Sequence, residues 1–270
     1  MKGTSQASHD AMLREFDPVA SAAGKDGATL AEQLFTVVDS LDRSGSLRRA
    51  LTDPARPGSD KAALVSDLFG AMDQRVIDFT SAAVGARWSG EDDLGDTLEA
   101  AAVDALLASA EKAKQLDTVE EELFLVERAL SSQTELLSAL DNRSAAPEPK
   151  LELARKVFGS KVNATTLALL ERAVTAPRMR RVVAALESFI AAAAQRRERS
   201  VVKVVSAVEL SAKQRGRLAD ILRSAYGREV QINASVDPHV IGGIRVQVGS
   251  EVVDGTVLSR LDEARQKIAG

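Results

Sequence analysis

The chain has 270 residues, with 39 acidic and 35 basic side chains, 45% hydrophobic residues and no cysteine. This composition is typical of a folded globular protein, and the length suits one large domain or two to three small ones. The lack of cysteine excludes disulfides, thiolate catalysis and cysteine-bound metals, and two histidines are too few for a His-rich metal site. Aromatic residues make up only 3%, which disfavours a stacking platform for single-stranded nucleic acid.

No segment of the sequence is typical of a signal peptide or a membrane span. The N-terminal residues MKGTSQASHD have no apolar core. The longest plainly apolar run, 189–194, is far shorter than the roughly 20 residues that cross a bilayer. Any membrane association is therefore expected to be peripheral and to depend on a partner.

Charge is distributed unevenly along the chain. Residues 1–97 carry 16 acidic and 10 basic side chains, a balance of −6, whereas residues 196–229 carry nine basic and four acidic ones, a balance of +5. A solvated helix face with a basic hinge would explain this pattern, and so would contact with an acidic partner. A nucleic-acid footprint is less favoured because the overall pI is acid.

Helical periodicity is nearly continuous through residues 1–195. Thr29 with Glu32, and Thr118 with Glu121, have the spacing of a capping box and predict two helix starts. Glycine at positions 70 and 159 predicts helix ends, and Pro-containing loops are predicted at 53–59 and 142–149. Further helices are predicted at 62–69, 76–88, 94–114, 151–158, 163–174 and 179–194.

Two stretches of the helical part resemble each other at a constant offset of 89 residues. EQLFTVVDSLDRSGSLRRALTD aligns with EELFLVERALSSQTELLSALDN, and the match continues through a lysine and a Phe-Gly helix end. Chance similarity of two amphipathic helices is the alternative, but the shared Phe-Gly end favours a tandem duplication. The matched pairs are Leu34/Leu123, Phe35/Phe124, Val37/Val126, Leu41/Leu130, Leu47/Leu136, Leu51/Leu140, Lys61/Lys150, Leu64/Leu153, Phe69/Phe158 and Gly70/Gly159.

After about residue 199 the pattern changes to that of a small α/β unit. Strands are predicted at 200–208, 230–236, 244–248 and 252–253, with Gly249-Ser250 as a two-residue hairpin turn. Ser211 is the predicted cap of a helix that ends at Gly227, and Asp254 the predicted cap of a final helix. The order β-α-β-β-β-α predicts a sheet of three or four strands.

No pattern of residues predicts catalysis, a cofactor or a metal. Phosphate-binding glycine loops, H-E-x-x-H and G-x-S-x-G are all absent. Gly242-Gly243 is typical of a bulge or strand entry, and His239 is predicted to lie in a turn with no catalytic neighbour. Trp88 is either an interface anchor or part of the core at a helix end. The basic run 178–181 is predicted to lie at a helix start, which suggests a negatively charged partner.

The C-terminal segment VDPHVIGGIRVQVGSEVVDGTVLSRLDEARQKI closely resembles the signature of the delta subunit of F-type ATP synthases, the oligomycin-sensitivity-conferring protein family. Upstream, LLASAEKAKQLDTVEEELF and VVKVVSAVELSAKQ resemble the family's first helices and the join between its domains. The resemblance begins near Leu98, and the extra residues 1–97 are similar to the long actinobacterial form. The residues that carry the signature, with structural roles, are Asp237, Ile241, Gly242, Gly243, Gly249, Asp254, Gly255 and Leu261.

The resemblance implies a mostly α fold with a C-terminal α/β unit. Residues 1–97 would be an added helical segment, the first copy of the repeat, which extends an N-terminal helical bundle. Residues 98–198 would complete the bundle that binds the N-terminal helix of an alpha subunit, and residues 199–270 would form a small mixed-sheet domain that binds the b-type stalk subunit. If residues 1–97 are a brace, the remainder should fold and bind the alpha helix without them.

The implied function is that of a non-catalytic stator subunit, which links the catalytic head to the peripheral stalk and resists rotor torque. Such a protein has no cofactor and lies on the cytoplasmic side of the cell membrane, as a peripheral subunit that does not insert. From the charge pattern, Arg215, Arg217 and Arg223 are the candidate stalk-binding residues. The alternative is an RNA- or ribosome-associated protein that uses the same basic face, although the resemblance implies no nucleic-acid partner.

Overall fold

The fold is mostly helical, with a small sheet near the C-terminus, as the sequence predicts. The computed structural model describes residues 1, 3–142, 144–175, 178, 181–226, 231–237, 240, 243–248 and 251–254. The helices are α1 Thr4–Ala23, α2 Gly27–Arg43, α3 Gly45–Thr52, α4 Gly58–Phe69, α5 Gln74–Gly85, α6 Asp93–Lys112, α7 Leu116–Ser132, α8 Thr134–Asp141, α9 Pro147–Phe158, α10 Ala164–Thr175, α11 Val182–Ser200 and α12 Ala212–Tyr226. The strands are β1 Val201–Ser206, β2 Gln231–Val236, β3 Ile244–Val248 and β4 Glu251–Asp254.

The chain divides into two compact units, Met1–Ala193 and Ala194–Gly270. In the first, the helical unit, a single hydrophobic core runs without interruption from Phe16 to Ala193. The second, the sheet unit, has its own small core. The sequence-based boundary after residue 97 falls inside α6, so the division of the helical part into 1–97 and 98–198 stays a prediction.

The helix bounds of the helical unit repeat at the spacing found in the sequence. Adding 89 to the bounds of α1, α2, α3 and α4 gives the bounds of α6, α7, α8 and α9, and only the α5 and α10 pair is displaced by one further residue. Helix α11 begins 89 residues after α6, so it follows the second repeat at the position where the first helix of a third repeat would begin. The first repeat therefore comprises α1–α5, and the second comprises α6–α10.

Helix α6 is buried on nearly every side because it packs against helices of both repeats. It makes extensive contact with α1 and α2, and it also contacts α7 and α10. Small alanine side chains let these neighbours approach closely, which suits the Ala-rich sequence of α6. Thirteen of its 20 residues are buried, whereas an ordinary surface helix buries one stripe.

Helix starts and ends agree only in part with the sequence patterns. The predicted caps at Thr29 and Thr118 are wrong, because both residues lie inside helices that begin two residues earlier. The predicted cap at Ser211 is confirmed: its hydroxyl accepts the backbone N–H of Gln214, whose side chain accepts the backbone N–H of Ser211 in return. The predicted helix ends at Gly70 and Gly159 are also confirmed.

The sheet unit is a four-stranded mixed sheet in the order β2-β1-β3-β4. Strand β1 pairs parallel with β2 and antiparallel with β3, which pairs antiparallel with β4. Val202 and Val204 are fully buried and form the core with Leu222 of α12 and Val246. Val248 pairs with Glu251 across the predicted hairpin turn; that turn and the predicted helix after Asp254 lie outside the described residues.

Gly27 makes a close approach of α2 and α6 possible. A Cβ atom at this position would lie 2.7 Å from the carbonyl oxygen of Ala105, closer than real side chains come to backbone. We expect Gly27→Ala to lower the free energy of unfolding by about 2 kcal/mol, the cost of overpacking a well-packed contact. Denaturant unfolding measures this change. Gly85→Ala is the control, since its Cβ would meet no atom within 4 Å; equal effects of both substitutions would contradict the close approach.

Candidate interaction surfaces

A buried arginine joins the two repeats. Arg172 of α10 donates a hydrogen bond from Nη1 to Oδ1 of Asp39 in α2, at 2.7 Å, and its Nε lies 3.5 Å from Oε1 of Glu99 in α6. Its guanidinium also lies over the ring of Phe35, 4.4 Å from the centroid. Arg172 and Glu99 are only 6% and 5% exposed. This cluster holds α2 of the first repeat against α6 and α10 of the second.

Arg178 forms a second ionic contact between the same parts of the unit. Its guanidinium lies 3.1 Å from Asp42 in α2 and 3.2 Å from Asp96 in α6. The missing side chain of Gly95 makes room for it, because a Cβ there would collide with the guanidinium. Burial raises the pKa of Asp42, and the charge of Arg178 opposes that rise. The predicted use of this arginine for an acidic partner is therefore wrong, since its acidic partners belong to the same chain.

Other polar groups of the helical unit serve the fold. Lys150 is buried and donates from Nζ to the carbonyl oxygen of Val174 at 2.8 Å, and burial lowers its pKa. Asp73 accepts hydrogen bonds from the side chain and backbone of Arg75, which lower its pKa to about 2. The indole N–H of Trp88 donates to the carbonyl oxygen of Ala83, and the ring packs against the core. Of the two interpretations of Trp88, the core role at a helix end is confirmed.

The sheet unit presents a basic stripe on α12. Lys213, Arg217 and Ile221 are exposed and follow one another at four-residue intervals, so they lie along one face of the helix. Arg215 is also exposed and makes a loose ion pair with Glu209, with 3.6 Å between nitrogen and oxygen. Arg223 lies in α12, but its side chain is outside the described residues. Of the three predicted stalk-binding arginines, two are therefore placed on an accessible basic surface.

The signature residues can be located only in part. The backbone N–H of Asp237 donates to the carbonyl oxygen of Ser206, which ties the end of β2 to the end of β1. Gly243 has a φ of 82°, a conformation that favours glycine, directly before β3. Asp254 is the last residue of β4. The remaining signature positions, Ile241, Gly242, Gly249, Gly255 and Leu261, lie outside the described residues, as does His239.

The face of the sheet opposite Leu222 is polar and concave. Lys203, Val205, Asn233, Ser235, Arg245 and Gln247 line a shallow depression of about 220 Å³ there. The pattern of the strands explains this face, because the residues that alternate with the buried Val202 and Val204 must point the other way. Periodicity identified the alternation in β2 and β3, but it did not identify the surface as a concave one.

Within the described ranges, no helix combines the length and the apolar character needed to cross a membrane. In the same part of the chain, no group of three or more His, Asp or Glu side chains is arranged to hold a metal ion. The charged clusters described above pair with each other or lie on accessible surfaces. The clusters around Arg172 and Arg178 hold helices of the helical unit together.

The chain thus combines a helical unit with a small mixed-sheet unit. Residues 103–268 match the model of the family described as "ATP synthase delta (OSCP) subunit". The chain is 46% identical to "ATP synthase subunit delta" of Beutenbergia cavernae over the whole of both chains. It is 43% identical to the protein of the same name from Streptomyces coelicolor, over all of this chain and 98% of that one. The chain belongs to the ATP synthase delta (OSCP) subunit family.

Membership of this family confirms two predictions from the sequence. The chain is a non-catalytic subunit, and its relatives are delta subunits of actinobacteria. Because these relatives align along the full length, residues 1–97 are a shared part of such long delta subunits. A chain of the "Cryo-EM structure of Toxoplasma gondii mitochondrial ATP synthase hexamer" aligns with 62% of this chain and 95% of its own, at 22% identity and a TM-score of 0.32, a likeness too weak to bear on the fold.

Proposed function

We propose that this protein is a stator subunit of the ATP synthase, which ties the catalytic head to the peripheral stalk and resists the torque of the rotor. The observation that carries the proposal is the full-length match to delta subunits in a chain built of two separate compact units. A linker between two assemblies needs two binding surfaces, and a chain of two compact units suits that requirement. The protein would act on the cytoplasmic side of the cell membrane, as a peripheral subunit.

The helical unit is the proposed binding partner of the alpha subunit's N-terminal helix. An amphipathic helix binds by placing apolar side chains, at intervals of three and four residues, into a groove between helices. The ionic clusters around Arg172 and Arg178 support this role, since they hold the two repeats together as one body. A binding platform that keeps its shape loses less entropy on association.

The sheet unit is the proposed binding partner of the b-type stalk subunit. The basic stripe of α12, which includes the exposed Arg217 and Ile221, suits a helix with acidic side chains around an apolar stripe. Two separate contacts on one chain would also dissociate more slowly than either contact alone, because the second contact keeps the first within reach. Slow dissociation is what a stator under continuous torque requires.

Recoupling of stripped membranes tests the proposal. Membranes washed at low ionic strength lose the catalytic head and the delta subunit; adding both back should restore ATP-driven proton pumping. We expect the triple variant Arg215→Glu, Arg217→Glu and Arg223→Glu to bind the stalk about tenfold more weakly, since each exposed ion pair contributes up to about 1 kcal/mol. Recoupling by the variant should then require a correspondingly higher concentration.

Charge reversal in the helical unit provides the matched control. Arg14, Arg43 and Arg56 are exposed, and changing all three to Glu should leave stalk binding unchanged. Equal stalk affinity of both triple variants at low salt would refute the role of α12. Failure of the wild-type protein to recouple pumping, together with salt-sensitive RNA binding, would refute the stator role and favour the nucleic-acid alternative.

A further inference from the structure

The two edges of the sheet differ in length and in charge. Among the described strands, β2 and β4 lie at the edges. Strand β4 has four residues, and its first and last residues, Glu251 and Asp254, are acidic. Strand β2 has six residues, QINASV, and none of them is charged. Natural sheets protect an exposed edge with charged side chains, with proline or with a very short edge strand. Strand β4 has two of these features, and β2 has none.

The apolar side of β2 is covered less completely than that of the neighbouring β1. Val202 and Val204 of β1 are fully buried. Their partners across the parallel pair, Ile232 and Ala234, are only partly buried, and Val236 at the end of β2 is 51% exposed. Because these three residues of β2 alternate along the strand, they lie on the same face of the sheet as the core. The apolar face of the sheet therefore continues to the β2 edge and stays partly open there.

The sequence of β2 is complementary to itself when two copies run antiparallel. Residues directly opposite each other in an antiparallel pair lie on the same face of the sheet. A two-fold axis through Ala234 places Ile232 of each copy opposite Val236 of the other, so that β-branched side chains meet on the apolar face. On the polar face, Asn233 of each copy lies opposite Ser235 of the other, and both side chains are exposed. No charged group opposes this register, and each copy covers the open apolar side chains of the other.

We propose that β2 is a self-association edge, at which two copies of the unassembled chain pair antiparallel around a two-fold axis. Their two four-stranded sheets then form one continuous sheet. Two-fold pairing uses the same edge on both copies, so the dimer is closed. The outer edges of the joined sheet are the two β4 strands, whose acidic residues oppose further pairing. This inference concerns the chain outside the ATP synthase and does not depend on the stator role.

The dimer is expected to be weak and reversible. Only residues 232–236 of each copy lie opposite each other, so the contact is smaller than the roughly 1,200 Å² of surface that stable interfaces bury. We expect a dissociation constant on the order of 100 µM. The full-length protein is then a monomer at a few micromolar and dimerises as the concentration approaches this value.

Sedimentation equilibrium of the full-length protein, from about 5 to about 500 µM, tests the pairing. Asn233→Lys with Ser235→Lys places like charges opposite each other in the proposed register and should weaken the dimer about tenfold. Asn233→Lys with Ser235→Glu places opposite charges there and should restore the wild-type affinity or exceed it. Both positions are exposed, so the monomer should keep its fold in either variant, as circular dichroism would show. Equal dissociation constants of the two double variants, a wild-type protein that stays monomeric, or growth beyond the dimer would overturn the proposal.

Cysteine crosslinking tests the register directly, because the natural chain has no cysteine. Ala234→Cys introduces a single thiol at the proposed two-fold axis, and a short bismaleimide should join two copies in a concentrated solution. Gln247→Cys is the matched control, since this residue is also partly buried but belongs to β3, inside the sheet. Equal yields of crosslinked dimer from the two variants would contradict pairing at the β2 edge. Recoupling of membranes does not enter either measurement, so this proposal and the stator role can fail separately.

Discussion

Replacing Arg172 with alanine is expected to lower the free energy of unfolding of the helical unit by about 3 kcal/mol. The substitution removes the cation beside the buried Glu99 and the stacking contact on Phe35. Removal of one member of a buried ion pair typically costs 3–5 kcal/mol, and the low end applies because Asp39 is one-third exposed. Denaturant unfolding of the full-length protein, followed by far-UV circular dichroism, measures the change.

Arg155→Ala provides the comparison for this experiment. Arg155 forms a bidentate pair with Glu171 on the surface of the same unit, at 2.6 and 2.9 Å, and its side chain is 57% exposed. Such an exposed pair, which solvent screens, should contribute far less than the buried cluster. A second comparison combines Arg172→Ala with Glu99→Gln, which should recover part of the loss because it removes the buried carboxylate charge that faced Arg172. If Arg172→Ala lowers the free energy of unfolding no more than Arg155→Ala does, the cluster around Arg172 does not hold the repeats together.

The tandem arrangement could be predicted because duplication preserves spacing, and spacing is what a sequence displays directly. The Phe-Gly helix ends at 69–70 and 158–159 predicted two helix ends correctly. The caps predicted at Thr29 and Thr118 are wrong because capping-box spacing shows only that two side chains could bond free backbone N–H groups. It does not show that a helix begins there. In both cases the helix begins earlier, and these threonines lie within its first turns.

The double burial of α6 and the ionic clusters could not be predicted. An Ala-rich helix has the same local pattern whether one side or both are covered, so the sequence of α6 does not reveal its position between two repeats. Arg172 and Asp39 are 133 residues apart, and no local rule relates them. Phe35 and Phe124 are the same residue at equivalent positions, yet only tertiary packing decides that Phe35 is partly buried against the core and Phe124 is exposed.

The surface positions were easier to predict than the buried ones. Exposure of Arg215 and Arg217 follows from the local excess of basic residues, because like charges are rarely buried together. The concave polar face of the sheet depends on the register of three strands, which is set by pairing rather than by composition. Charge pattern thus identified a candidate surface, and tertiary pairing determined its shape.

Deletion of residues 1–92 is expected to leave a folded protein that self-associates. A cut at 97 would remove the first turn of α6, whereas a cut at 92 keeps that helix complete. The remaining repeat keeps the apolar contacts of α7, α9 and α10, so it should fold and bind a synthetic peptide of the alpha subunit's N-terminal residues. The side of α6 that α1 and α2 cover, which includes Ala105 and, one turn earlier on the same side, the buried Ala101, would become exposed and promote dimers or larger species. Sedimentation at micromolar concentrations measures the self-association.

Polar substitutions on α6 should distinguish self-association through the newly exposed side of this helix from a failure of the truncated protein to fold. In the truncated protein, Ala101→Lys with Ala105→Glu should restore the monomer and keep peptide binding, since both positions would face solvent. In the full-length protein the same two substitutions should lower the free energy of unfolding by several kcal/mol, because they would place two charges in a buried contact. A truncated protein that is monomeric without these substitutions would contradict the inference that the first repeat covers an apolar side of α6. Loss of peptide binding in the polar, monomeric form would mean that residues 1–92 contribute to the alpha-binding groove, so that the first repeat is more than a brace.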